Sequence, residues 1–67
     1  MNIRKLKALR VEAGKTQADM AALLGCTISA YSLKENGKRP FAQSEIAKIA
    51  QSLEIGAEVI FAIFFSN

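Results

Sequence analysis

Three groups of residues could carry chemistry in this chain, and their neighbours decide what each can do. Gly14-Lys15-Thr16 has the ending of a phosphate-binding loop, in which backbone N–H groups cradle phosphate and a Lys neutralises it. That loop needs a Gly where the sequence has Leu9, and it follows a strand, whereas no strand-like alternation precedes Gly14. Nucleotide hydrolysis is excluded. Cys26 is the only Cys, and the 67 residues contain no His. No nucleophile–base pair of the usual kind can be built from these residues, and no Cys/His zinc site. An intrachain disulfide is impossible, so a disulfide-stapled secreted scaffold is ruled out as well. Cys26 reads as a small core hydrophobe.

The third group is ionic. Nine Lys and Arg against six Asp and Glu give a net charge of +3. Its distribution says more than its sum. Arg4, Lys5, Lys7, Arg10, Lys15, Lys34, Lys38 and Arg39 outweigh Glu12, Asp19 and Glu35, so residues 1–40 carry +5. Residues 41–67 carry −2, from Lys48 against Glu45, Glu54 and Glu58. Such an asymmetry points one end of the fold at a polyanion. Ordinary solvated helix faces account for the charge equally well.

The elements that must hold these groups are helical. Half the chain is apolar (51%), enough for a packed core, and the length suits one domain over residues 1–67. Gly14, Gly25 and Gly37 each close a segment of helical periodicity, as glycines after a helix end do. A first helix is expected from about Ile3 to Ala13, with Ile3, Leu6, Leu9 or Arg10, and Ala13 on one face. Thr16 caps a second, with Asp19 completing a box, and Met20, Ala21 and Leu24 face inward. Thr27 caps a third, with Cys26 and Tyr31 spaced as a hydrophobic staple. Ile46, Ile49, Ala50 and Leu53 mark a fourth, whose start carries no Ser, Thr, Asp or Asn cap. A fifth, short helix follows Gly56. The most apolar stretch, Ile55 to Phe65, is too short to span a bilayer and contains Glu58. With no signal-peptide pattern at the start, a cytoplasmic protein without a membrane partner is expected.

Leu24-Gly25-Cys26-Thr27 joins the second and third helices as the turn of a helix-turn-helix would. The residues Leu9-Arg10, Gly14-Lys15-Thr16-Gln17, Ala21, Leu24-Gly25, Thr27 and Glu35-Asn36-Gly37-Lys38 share the mutual spacing of a known family. The chain resembles the Cro/CI-like (lambda-repressor-like, XRE-type) helix-turn-helix family over nearly its whole length. Tyr31-Ser32, the run from Lys34 to Phe41, Ile49-Ala50 and Leu53 are similar to a subgroup of small phage-derived regulators. The resemblance implies an all-α fold of five short helices and a double-stranded DNA-binding transcriptional regulator. It implies a repressor that occupies an operator as a homodimer on the nucleoid. No catalysis, cofactor, metal or small-molecule ligand is expected.

The resemblance also assigns roles. Gln17, Asn36, Lys38 and Arg39 contact DNA phosphates, Gln17 through its amide and a free N–H at a helix start. Arg10 and Glu35 match a structural salt bridge between the first and third helices. Bases are read by Thr27, Ile28, Ser29, Ser32 and Leu33. Here the chain departs from better-understood relatives, since Ile28 and Leu33 replace side chains that pair bidentately with guanine or adenine. The expected code is therefore permissive and leans on DNA shape. Ile28 and Leu33 also suit a protein partner, so an interaction module on the same fold stays open. Tyr31 reads as core, with its hydroxyl at the rim. Ile60 and Phe61 suffice to close the core, which leaves Ile63, Phe64 and Phe65 as a dimer interface; the alternative is that one or two of the three fold back against the fourth helix.

Overall fold

The computed structural model describes residues 1–65, and all the regular structure among them is helical. The elements are α1 (Ile3–Glu12), α2 (Gln17–Leu24), α3 (Ile28–Glu35), α4 (Gln43–Leu53) and α5 (Ala57–Ile60). α5 runs on into a π-helical turn, Phe61–Phe65. The fold is all-α, with the helix-turn-helix at α2 and α3.

Local side-chain chemistry sets the helix starts. Asn2 caps α1 by accepting the Lys5 N–H at 3.1 Å. At α2 the Thr16 hydroxyl accepts the Asp19 N–H (3.1 Å), and the Asp19 carboxylate accepts the Thr16 N–H (2.8 Å). This reciprocal box satisfies donors that the helix itself leaves orphaned. Thr27 does the same for α3, accepting from the Ala30 N–H at 3.1 Å. α4 starts at Ala42, which has no side chain to offer. Glu45 supplies the other half of the box by accepting the Ala42 N–H at 2.9 Å. Its second carboxylate oxygen takes the Lys34 ammonium of α3. One side chain thereby starts α4 and fastens it to α3. The α2–α3 turn depends on Gly25 at φ 71°, a left-handed conformation that costs a Cβ-bearing residue roughly 1 kcal/mol or more. α4 ends without such help, since Glu54 itself adopts φ 53°.

Fully buried core residues come from every helix except the four-residue α5, whose half-buried Val59 packs against them. Leu6, Met20, Ala21, Tyr31, Ile49, Leu53 and Ile63 form one buried cluster, with Leu9, Leu23, Leu24, Cys26 and Phe41 packed around it. Ala13, expected on the inner face of α1, is exposed beyond the helix end. Phe41 stands edge-on between Tyr31 (6.2 Å) and Phe64 (5.4 Å), joining α3 to the C-terminal turn. The Tyr31 hydroxyl is buried, not at the rim, and has no hydrogen-bond partner among the described residues. Burial first, and then the neighbouring Glu35 carboxylate, holds its pKa well above the ordinary phenol range. That interaction stops short of hydrogen-bond geometry, so the phenol sits beside Glu35 without satisfying it.

Glu35 is fully buried yet ionically paired. Arg10 Nε donates to Glu35 Oε2 at 2.9 Å and Nη2 to Oε1 at 3.2 Å, a bidentate fork. Nη1 donates to the Lys15 carbonyl at 2.7 Å. A single guanidinium therefore binds α1, the α1–α2 loop and α3 together.

The C-terminal turn differs from the sequence expectation. Ile63, assigned to a dimer interface, is completely buried, while Phe61, assigned to the core, is 62% exposed. The reason is the face each residue occupies: Val59, Ile60, Ile63 and Phe64 share the inward side at i, i+1, i+4 and i+5, while Phe61 and Phe65, four residues apart, take the outer side. The Ile63 carbonyl also accepts the Asn2 N–H at 2.6 Å, which pins this residue against the start of α1. Phe64 is half-buried against Phe41. The exposed aromatic pair is Phe61 and Phe65, with ring centroids 6.3 Å apart.

Candidate nucleic-acid interface

α2 and α3 meet through the Gly25 turn, where the Cys26 N–H returns to the Ala21 carbonyl at 3.0 Å. This closes the end of α2 and starts α3 within two residues. Cys26, half-buried, packs against the core cluster. α3 is held from behind by Tyr31 and Glu35 in the core, and at its far end by the Lys34–Glu45 pair. Its outer face is left for other use. Ile28, Ser29, Ser32 and Leu33 fall at i, i+1, i+4 and i+5, which places them on one side of a helix. Thr27, Ser29 and Leu33 are exposed, Ile28 is 53% exposed, and Ser32 is half-buried. The Thr27 oxygen is occupied by the Ala30 N–H, so its proton remains available to an outside acceptor.

Gln17 is the first residue of α2 and half-buried. Its N–H and that of Ala18 have no acceptor within the helix, as at any helix start. The Asp19 carboxylate stands at the same end. The Thr16 backbone N–H, and then its hydroxyl, hold the Asp19 carboxyl below the usual carboxylate range. That negative charge offsets part of the helix dipole, so a phosphate contact here rests on directed N–H groups more than on field.

The segment after α3 divides the expected phosphate contacts. Lys38 and Arg39 are exposed. Asn36 is not. Its Nδ2 donates to the Ser32 carbonyl at 2.8 Å and to Ser32 Oγ at 3.3 Å, and its Oδ1 accepts from Lys7 Nζ at 2.8 Å. The backbone N–H groups of residues 36–39 are likewise spent, on Ser32, Lys34 and Leu33 carbonyls. In this structure Asn36 serves as an internal clasp, with every polar atom of its amide already partnered, unlike the expectation of a free phosphate contact. Lys7 was missed in the sequence. The available signal was its i, i+3 spacing from Arg10, which puts both on the face of α1 that meets α3.

The basic loop and the C-terminal turn, far apart in the chain, meet in space. An open groove of about 380 Å³ is lined by Lys38, Arg39 and Pro40 together with Phe41, Phe64 and Phe65. The apolar C-terminal turn therefore adjoins the basic loop. Among the described residues no helix is long and apolar enough to cross a membrane.

Neither a curated protein nor a solved structure matches this chain. A family model described as a helix-turn-helix domain matches residues 4–60, from the first turn of α1 to the end of α5. The matched span takes in the capped α2, the Gly25 turn and the outward face of α3. The chain belongs to the helix-turn-helix domain family, in keeping with its Cro/CI-like sequence pattern.

Proposed function

We propose that this protein is a sequence-specific double-stranded DNA-binding transcriptional regulator, a repressor that acts in the cytoplasm by occupying an operator as a homodimer. The observation that carries the reading is the row of Thr27 at the start of α3 and Ile28, Ser29, Ser32 and Leu33 along it, preceded in the chain by Gln17 at the start of α2 and followed by the exposed Lys38 and Arg39. Phosphate contacts from the flanks would fix the register, and the row would meet base edges in the major groove. No catalytic step is required: a bound dimer blocks polymerase by excluded volume.

Dimerisation follows from size. The longest axis of the molecule is 27 Å. Half-sites one helical turn apart are separated by about 34 Å, so a single copy cannot reach two of them. Phe61 and Phe65, with Phe64 at their edge, form the apolar surface suited to a second copy. Because this surface adjoins the Lys38–Arg39 loop, pairing through it brings two basic loops together over the middle of the site. The reading is tested by selecting bound sites from a random duplex library, followed by a salt titration on the selected site. Two cations per protomer, Lys38 and Arg39, predict a log K against log salt slope of about −3.6 for the dimer.

A second reading has one observation in its favour. Ile28 and Leu33, both apolar, are 53% and 36% exposed on α3. A protein partner could use them in place of DNA, and binding to duplex that ignores both sequence and salt would point there.

A further inference from the structure

We infer that Asn36 and Gly37 form a modification site: a spontaneous deamidation that the Lys7–Asn36–Ser32 clasp holds back and that, once it has happened, loosens the end of α3 for good. The inference stands apart from the proposed DNA-reading role of α3.

The chemistry needs only this dipeptide and water. The Gly37 nitrogen, after losing its proton to solvent base, attacks Cγ of the Asn36 amide. The new C–N bond closes a cyclic imide, and Nδ2 leaves as ammonia. Water then opens the imide at either carbonyl and gives aspartate or isoaspartate. An amide nitrogen is exchanged for a water oxygen, and nothing is oxidised or reduced. Glycine after asparagine is the most permissive sequence for this closure, because no side chain crowds the attacking nitrogen.

The fold requires both halves of the pair. Gly37 adopts φ 76°, and a Cβ there would stand 3.3 Å from Ile3 Cδ1, so a larger residue is strained twice over. Asn36 accepts at Oδ1 from Lys7 Nζ (2.8 Å) and donates from Nδ2 to the Ser32 carbonyl (2.8 Å). An ionised aspartate accepts but does not donate, so the product keeps Lys7 and sets an anion against the Ser32 carbonyl. Isoaspartate goes further by routing the main chain through the former side chain. The lengthened backbone falls where the Gly37 and Lys38 N–H groups return to the Lys34 (3.1 Å) and Leu33 (2.8 Å) carbonyls.

The same contacts hold the reaction back. At ψ 7° the Gly37 nitrogen lies beside the main-chain nitrogen of Asn36, far around the Cα–C bond from the side chain. The side chain is drawn back to a carbonyl one turn earlier, and the Gly37 N–H is engaged by Lys34. Lys7 polarises the amide carbonyl, which alone would favour attack, but the carbon is inert until the nitrogen reaches it. Ring closure therefore waits for the clasp to open. Asn36 is half-buried and Gly37 exposed, so opening is a local event that leaves the core in place.

The test incubates the full chain at neutral pH and follows aspartate and isoaspartate formation at Asn36 by peptide mass spectrometry. The folded parent should react at least about tenfold more slowly than the same chain in denaturing guanidinium, since opening must break the charge-assisted bond from Lys7 and the neutral bond to Ser32. Below the unfolding transition the rate should stay nearly flat as denaturant is added, because opening the clasp exposes little surface. Lys7→Met should react about fivefold faster than the parent where circular dichroism shows both folded. Lys7→Arg, which keeps a cationic donor, should stay within about twofold of the parent. If Lys7→Met does not fold, the denaturant profile of the parent decides alone. A folded parent that reacts as fast as the denatured chain overturns the inference. So does a folded Lys7→Met that keeps the parental rate, or a parental rate that climbs in step with the unfolded population, which would place the guard in the whole fold. The purified products should melt below the parent, and equal melting overturns the claim that the change loosens α3.

Discussion

Arg10→Met removes the one cation that faces a fully buried carboxylate. Met preserves most of the apolar stem, so the change isolates the guanidinium from the packing of its methylenes. Three hydrogen bonds disappear: the 2.9 and 3.2 Å fork to Glu35 and the 2.7 Å bond to the Lys15 carbonyl. The larger loss is what remains. Glu35 has no exposed surface, and the phenol beside it makes no hydrogen bond. Stranding one partner of a buried pair costs about 3–5 kcal/mol. A domain of this length holds roughly 3–10 kcal/mol in total, at about 0.05–0.15 kcal/mol per residue. The variant should therefore sit near its unfolding midpoint, with a Tm lowered by at least about 12 °C at roughly 4 °C per kcal/mol. Thermal melts followed by circular dichroism, backed by urea midpoints, measure it directly. Arg10→Met combined with Glu35→Leu should recover most of the loss, because no buried charge is then left unpaired. A single variant melting within about 4 °C of the parent would refute the desolvation argument. A double variant no better than the single would instead place the cost in the lost tie to Lys15.

Other perturbations probe separate features. Tyr31→Phe deletes a buried hydroxyl without a partner and should be neutral or stabilising by up to about 2 kcal/mol; a clear loss would mean the hydroxyl is bonded after all. Because its folded pKa is raised, Tyr31 stabilises the fold fully below the ordinary phenol pKa of 10.0 and progressively less above it. Melts between pH 9 and 12 should therefore decline less in Tyr31→Phe. Asp19 and Glu45 have the opposite sign: hydrogen bonds from Thr16, and from Lys34 and then Ala42, lower their carboxyl pKa values from 3.8 and 4.5. Their contribution is present above those values and is lost as pH falls through the lowered ones, so Asp19→Asn with Glu45→Gln should flatten the acid limb of stability below about pH 4. Glu54→Gly relieves a left-handed conformation and should raise stability by about 0.5–1 kcal/mol; a lower Tm would contradict it. Phe61→Ser with Phe65→Ser should yield a folded monomer with weaker operator binding, and sedimentation of the parent as a monomer at high micromolar concentration would sink the proposed dimer.

What could be read from the sequence was what neighbouring residues decide among themselves. Thr16 with Asp19 and the glycines after α1, α2 and α3 announce helix boundaries within a few residues, because capping and positive φ are local matters. Ile49 and Leu53 show the buried stripe of α4 for the same reason. Arg10 and Glu35 stand 25 residues apart, and no periodicity links them; the pairing enters through family likeness, and its reach to the Lys15 carbonyl only through the structure. α4 lacks a visible cap because the capping group, Glu45, lies inside the helix and is shared with Lys34. Phe61 and Ile63 change places between surface and core: counting apolar residues hides this, although helical spacing groups Ile63 with Val59 and Ile60, and Phe61 with Phe65. On the candidate interface, residue types suggested which positions face outward. They could not tell that Asn36 is occupied internally.

The bond from the Asn2 N–H to the Ile63 carbonyl also bears on how the protein is born. It closes a loop of about sixty residues, and loop-closure entropy must be overcome before the contact gives anything back. Ile63 is the last residue of the buried cluster, so a nascent chain cannot finish its core until synthesis has passed that point. Up to then Leu6 and the inner face of α1 lack their final cover, while α2, the turn and α3 are already made and locally capped. A ribosome stalled before Ile63 would hold a chain whose helix-turn-helix can form transiently but whose core stays open to chaperones and proteases. Quality control thus gets its clearest view of this fold before Ile63 has been added.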